Sequence, residues 1–248
     1  MTVRVSALWR HPIKAHGREA LTRATLAEGA TFPWDRRWAV AHDAADVPDT
    51  GWAPCRNFTR GASSPQLMAI SAVVDEGRGT VTLRHPDRPD LTFDPGQDEE
   101  GFLAWVRPLI SENRPAASRI VSPEDAGMTD TDFASISILN AASGRDLGQR
   151  MGTDLDLARW RGNIILDGID PWAERAWIGQ TLRIGDARLQ VREPIVRCLA
   201  TTANPETGER DADTLGALKA AFGHQQFGIY ATVTQGGDIA VGDAVEVL

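Results

Sequence analysis

Phe227-Gly228-Ile229-Tyr230-Ala231-Thr232-Val233, Gly236-Gly237, Ile239-Ala240-Val241, Gly242-Asp243 and Val245-Glu246-Val247-Leu248 close the chain. Strand-length apolar runs separated by glycine-rich turns are the pattern of short antiparallel strands. Upstream, residues 182–184 and 187–191 flank Gly185-Asp186, a two-residue hairpin signal with glycine first. Residues 136–139 and 161–166 read as further strands. Asn140 or Ser143 caps a helix running to Met151, with Gly152 just past its end. Asp170-Pro171 opens a short helix through Trp177, and Asp211 caps a helix with Leu215, Leu218 and Phe222 on its apolar face. Many short strands with few helices outside them point to an α+β, mainly β fold with a barrel core, rather than a parallel α/β sheet.

The first half is less regular. Residues 3–8, 38–41, 67–74 and 80–83 have strand patterning, and residues 98–110 have helical spacing limited by Pro108. Residues 43–64, holding Trp52 and Cys55, form a long irregular excursion, either a functional loop or an insertion. Residues 112–118 suit a connector between two lobes.

The 248 residues and 26.9 kDa suit one large domain or two lobes sharing a core. A net charge of −8 argues against nonspecific nucleic-acid binding but leaves room for a local basic pocket. No apolar run is long enough to span a membrane and no signal peptide is visible, so a cytoplasmic protein is expected. Two cysteines, Cys55 and Cys198, make neither a disulfide framework nor a four-ligand zinc site. The five histidines show no zinc-hydrolase spacing, and phosphate-loop, dinucleotide and serine-elbow motifs are absent.

Several residues have two readings. Cys198, in Val196-Arg197-Cys198-Leu199-Ala200-Thr201-Thr202, is either a buried core thiol or a soft metal ligand at a strand end. Cys55 reads as an incidental thiol. Lys14, one of two lysines, is either a solvated strand end or a point charge for a phosphate. Arg36 and Arg37 point to opposite faces, so one of them needs an anion inside: a carboxylate such as Asp35, or a ligand phosphate. Arg161 and Asn163 share a face by alternation, and either hold an anionic ligand or bracket a turn.

The stretch Arg197-Cys198-Leu199-Ala200-Thr201-Thr202-Ala203-Asn204-Pro205-Glu206-Thr207-Gly208-Glu209-Arg210-Asp211 resembles the signature of the MOSC domain, the molybdenum cofactor sulfurase C-terminal domain. So does the ending from Phe227 to Asp243. His11-Pro12-Ile13-Lys14 with Asp35-Arg36-Arg37-Trp38 is similar to the N-terminal β-barrel segment that accompanies this domain in amidoxime-reducing components and bacterial relatives. The resemblance implies a MOSC-type barrel core with peripheral helices at residues 116–248 and a smaller β-rich lobe at residues 1–115. It implies a molybdenum–molybdopterin cofactor with Cys198 as the metal's protein ligand. It also implies Lys14 and Arg36 on the pterin phosphate, Arg161, Asn163 and Tyr230 at the cofactor, and Asp132 near the metal's open face. Lys14 and Arg36 are expected outside the apolar core. Ala15 stands where the family usually has serine, and the loop at 43–64 departs from the usual short pattern.

The activity implied is reduction of small N-hydroxylated or N-oxidised compounds. Two cysteines hold no iron–sulfur cluster, so electrons would come from a separate donor protein. The other function implied is that of a carrier of persulfide sulfur or cofactor on Cys198. Neither nucleic acid nor membrane is expected as a partner.

Overall fold

The computed structural model describes residues 2–48, 51–123 and 127–248. Its main sheet has eight strands and curls into a half-barrel. In spatial order they are Val245–Val247, Thr181–Ile184, Ala187–Val196, Gln226–Gln235, Ile136–Asn140, Ile164–Asp167, Arg4–Arg10 and Glu19–Leu21. All neighbours pair antiparallel except Ile136–Asn140 and Ile164–Asp167, which run parallel. A parallel pair needs a crossover. Helix α1 is Glu99–Val106, α2 is Ala141–Met151 and α3 is Thr214–Phe222; α2 lies in that crossover. Asn140 Oδ1 caps α2 through the Ala142 N–H at 2.9 Å, and left-handed Gly152 ends it, as the sequence predicts.

The sheet is buried on both faces. Ile138, Ile164, Leu166, Leu189 and Ile229 fill the inside of the half-barrel. Leu139, Ile165, Ile195 and Phe227 face outward against Leu147, Trp160 and Leu218. Residues 164, 165 and 166 alternate between these two cores, as strand geometry requires. A separate core gathers Ile13, Val40, Leu67, Ile70, Leu83, Phe102 and Trp105 beneath the meander of Ser71–Asp75, Thr80–His85 and Arg88–Phe93. Pairing joins segments far apart in the sequence. Arg4–Arg10 lies beside Ile164–Asp167, Arg23–Leu26 beside Gly237–Ala240, and Ala39–His42 beside Ala117–Val121. No helix among the described residues is long and apolar enough to cross a membrane.

Some boundaries differ from the sequence reading. Residues 67–74 are not one strand: Pro65 starts a 3-10 turn, Pro65–Ala69, before Ser71–Asp75. Asp213, not Asp211, caps α3, accepting from Gly216 N–H at 2.9 Å; Asp211 pairs with Arg159 instead. The segment after Asp170-Pro171 is a 3-10 turn, Ala173–Trp177, preceded by left-handed Trp172. Strand Ile164–Asp167 starts three residues later than expected because Arg161 is left-handed, with φ 50°.

Gly228 has φ 79° inside the strand Gln226–Gln235. A Cβ there would sit 2.5 Å from Leu139 Cδ2 and 2.7 Å from Ile138 O. Gly228→Ala therefore combines a disfavoured backbone with a clash, and denaturant melts should show a loss of about 3 kcal/mol.

Two core histidines make the fold acid-sensitive. His11 and His16 are buried. Burial pushes His11 down to about 3, with Arg161 adding to it and Asp35 opposing. Burial pushes His16 to about 4, against a hydrogen bond to Lys14 O. Unfolded histidine titrates near 6.5, so the unfolded chain binds more protons throughout that window. Stability should rise with pH across it, and be lost as pH falls below about 6.5, by about 2 kcal/mol per histidine at pH 5. Denaturation at pH 5 and 7.5 checks this, and His16→Gln should remove about half of the difference.

Candidate functional site

A cleft of about 370 Å³ opens between the N-terminal core and the edge of the half-barrel. Its lining includes Lys14, Arg36, Arg161, Tyr230 and Cys198, which lie far apart in sequence. Arg60, Arg159 and Arg197 also line it, making six cations against two carboxylates, Asp130 and Glu193. A chain of net charge −8 thus concentrates positive charge in one concavity.

Cys198 follows the end of strand Ala187–Val196 in extended conformation and precedes the 3-10 turn Leu199–Thr202. The Thr201 N–H and Oγ1–H both donate to its carbonyl, at 3.2 and 3.1 Å. The side chain is exposed in the cleft wall. The core-thiol reading therefore gives way to that of an accessible thiol.

Lys14 is only 4% exposed. Its Nζ donates to Met128 O at 2.8 Å, Thr129 O at 2.9 Å and Asp130 Oδ1 at 2.5 Å. It therefore stitches the 128–130 segment to the first lobe, more deeply than the sequence suggested. Arg36 pairs with buried Asp35 and donates to Arg161 O at 3.2 Å. Asp35 also accepts from His11 N at 2.7 Å. Burial opposes ionisation of Asp35, but Arg36 and His11 hold it well below the usual carboxylate range. Ala15, Arg36 and Arg161 are all left-handed, with φ between 50° and 64°, and all line the cleft. Backbone strain of about 1–3 kcal/mol per residue, gathered at one concavity, is characteristic of functional sites.

Arg161 and Asn163 part company. The left-handed turn sends Arg161 into the cleft, where one Nη donates to Gly17 O at 3.1 Å. Asn163 is 1% exposed and does not line the cleft. Its Oδ1 accepts from Ser137 N and Oγ, and its Nδ2 donates to Trp9 O, so it buckles three strands behind the wall.

Asp132 also lies outside the lining, exposed to solvent; Asp130, two residues earlier, lines the cleft, as Glu193 does. Lys14 and Trp52 Nε1 both donate to Thr129 O, which pins the turn. Thr131 Oγ1 donates to Phe133 O and accepts from the Ser135 hydroxyl, both at 2.8 Å, and this turn leaves Asp132 outside. Burial opposes ionisation of Asp130, but Lys14 and Arg36 outweigh it and hold the carboxyl well below its ordinary value. Cys55, read from the sequence as an incidental thiol, lines the same cleft and donates to Asp130 Oδ1 at 2.9 Å. Burial and Asp130 push its thiol up to about 11, so it stays protonated near neutrality. Burial likewise raises Tyr230, which remains a phenol.

The sequence reading also missed Arg197 and Arg159. Arg197 Nε donates to Phe227 O and Nη1 to Trp160 O, both at 2.8 Å, beneath Cys198. Its place beside Cys198 in the motif was the available signal. Burial pushes Arg197 down to about 10, and burial with Arg36 nearby pushes Arg161 to about 9. Four buried nitrogens on the lining residues have no hydrogen-bond partner among the described residues: Arg161 Nη1, Arg197 Nη2, Arg159 Nε and Trp160 Nε1. Orphaned donors of this kind are costly, and a polar anionic ligand would relieve them.

The chain matches the MOSC N-terminal beta barrel domain over residues 2–107 and the MOSC domain over residues 125–246. The mitochondrial amidoxime-reducing component 1 of Mus musculus is 31% identical across 98% of this chain and 82% of its own length. The protein of the same name from Danio rerio is 28% identical across 97% of this chain and 83% of its own. Molybdenum cofactor sulfurase of Drosophila grimshawi is 35% identical over 118 residues, which are 47% of this chain and 15% of that protein.

Proposed function

The chain belongs to the MOSC-domain family with its N-terminal beta barrel, and from that membership we propose that it is a molybdenum-cofactor-dependent reductase of N-hydroxylated or N-oxidised small molecules. One observation carries the reading: an accessible thiol, Cys198, shares a cleft with orphaned guanidinium and indole donors. Those donors fit a phosphate-bearing, hydrogen-bonding cofactor. The donor set fits as well. No three His, Cys, Asp or Glu side chains converge for a metal among the described residues, so a metal here must bring other ligands and take one soft sulfur from the chain.

When bound, the cofactor supplies a two-electron redox centre. The residues supply the rest. Lys14, Arg36 and Arg161 would hold the phosphate by charge-assisted hydrogen bonds. Arg197 compensates the Cys198 thiolate from below. The Tyr230 phenol and Cys55 thiol remain donors toward the cleft. An N–OH substrate takes up two electrons and two protons, and leaves as N–H plus water. Asp130, rather than Asp132, is placed to pass a proton. Asp130, held ionised by Lys14 and Arg36, would relay a proton from solvent rather than store one. The electrons come from a separate donor protein.

The test is metal analysis and oxidised-pterin fluorescence of the purified chain, with reduction of an amidoxime by a chemical electron donor. Stoichiometric molybdenum and pterin with turnover support the proposal; metal-free protein that cannot be reconstituted sinks it. Asp130→Asn should lower kcat by about a hundredfold, whereas Asp132→Asn should leave it near wild type. The exposure of Cys198 and the sulfurase similarity favour a second reading, a carrier of persulfide sulfur. Sulfane sulfur without molybdenum would select it.

A further inference from the structure

A second cavity, of about 190 Å³, lies beside the Cys55–Asn57 turn, and we propose that it binds a small multivalent oxyanion of the phosphate type. Arg56, Arg60, Arg114 and His42 line it, and among the described residues no Asp or Glu does. None of the three arginines makes an ion pair among the described residues, although most cations of the first cleft are paired or hydrogen-bonded. This is unusual in a chain with 34 acidic and 26 basic residues, where carboxylates are available. Like charges gathered without a counter-ion repel, and a bound anion relieves that repulsion.

His42 supplies an independent pointer. Its Nε2 lies 2.7 Å from Arg56 O, an acceptor, so Nε2 carries the proton. Its Nδ1 is buried and has no partner among the described residues. A hydrogen phosphate meets both needs: its oxygens accept from the guanidiniums, and its P–OH donates to Nδ1. If Nδ1 is protonated, a phosphate oxygen accepts from it instead. The three arginines come from different places. Arg56 sits on the turn, Arg60 just beyond it, and Arg114 on the segment after α1. An anion here therefore ties the 43–64 excursion to that segment. Arg60 lines both cavities, so the two sites share one cation.

The site does not depend on the redox reading, and the test keeps them apart. Pyrophosphate and inorganic phosphate are titrated calorimetrically, at constant ionic strength, into four proteins: wild type, Arg161→Gln, Arg114→Ala and the double variant. Arg161→Gln disables the first cleft's clamp and should retain one saturable site. Adding Arg114→Ala should weaken that site at least tenfold, the effect of losing one charge-assisted bond. Arg114 is exposed, so melting curves of Arg114→Ala should match wild type. Absence of saturable binding in Arg161→Gln, or equal affinity in the double variant, would overturn the proposal. Failure of the redox reading would appear separately, as wild-type protein that takes up no cofactor.

Discussion

Cys198→Ser should purify folded, with no molybdenum and no turnover. The substitution is nearly isosteric, and the side chain stands exposed in the cleft wall, so packing is untouched. What changes is the donor. A thiolate is soft and forms near neutrality, whereas a serine hydroxyl is hard and stays protonated. The loss should exceed a thousandfold in kcat/KM, since among the described residues no neighbouring His, Asp or Glu completes a substitute ligand set. Cys55→Ser is the matched control. Serine keeps the hydrogen bond to Asp130, so metal content should persist with a modest change in rate. Metal analysis of the two variants checks both, and molybdenum retained at full occupancy in Cys198→Ser would remove this residue from the site.

The second large effect concerns the cations, and the structure separates their roles. Arg161 is incompletely partnered, and burial disfavours its charge. Arg161→Gln should leave the cofactor-free fold within about 1 kcal/mol of wild type, because the cost of an unpaired buried charge disappears along with one hydrogen bond. Cofactor retention should nonetheless fall ten- to a hundredfold, by roughly the 1.5–3 kcal/mol of a charge-assisted bond. Lys14→Ala should do both kinds of damage. It strips partners from Met128 O, Thr129 O and Asp130, costing about 2–3 kcal/mol of stability as well as cofactor. The double variant should retain cofactor about a thousandfold less well. Equal retention in wild type and double variant would mean that these cations serve the fold alone.

Much of this arrangement was legible because it is local. The alternation at 164–166, the Gly185-Asp186 hairpin, and Asn140 and Gly152 at the ends of α2 each follow from a few adjacent residues. The Cys198 motif carried the family resemblance, which the MOSC domain match over residues 125–246 bears out. What stayed hidden was set by distant partners. Threonine–aspartate repeats at 129–132 offer two acids, and only Lys14 and Trp52, reaching in from the first lobe, decide that Asp130 faces the cleft. Strand alternation placed Arg161 with Asn163, but one left-handed residue breaks the period between them. Cys55 looked incidental because its neighbour, Asp130, is 75 residues away.

The pairing of the first strand with Ile164–Asp167 also has a consequence for biosynthesis. Ser6 meets Ile165, 159 residues later. At translation rates of about 5–20 residues per second, Arg4–Arg10 waits roughly 10–30 s on the ribosome before that neighbour exists. Through that interval Val5 and Leu8 have only nearby residues of their core, such as Leu26 and Phe32, to join, and the strands that complete the half-barrel are still missing. The nascent chain thus carries a strand paired only with Glu19–Leu21, its other edge open and apolar, the species that holdase chaperones bind and that aggregates when they are scarce. Heterologous yield should accordingly respond to slower synthesis and chaperone supply more than to any change at the cleft, and a separately expressed first lobe would retain that open edge.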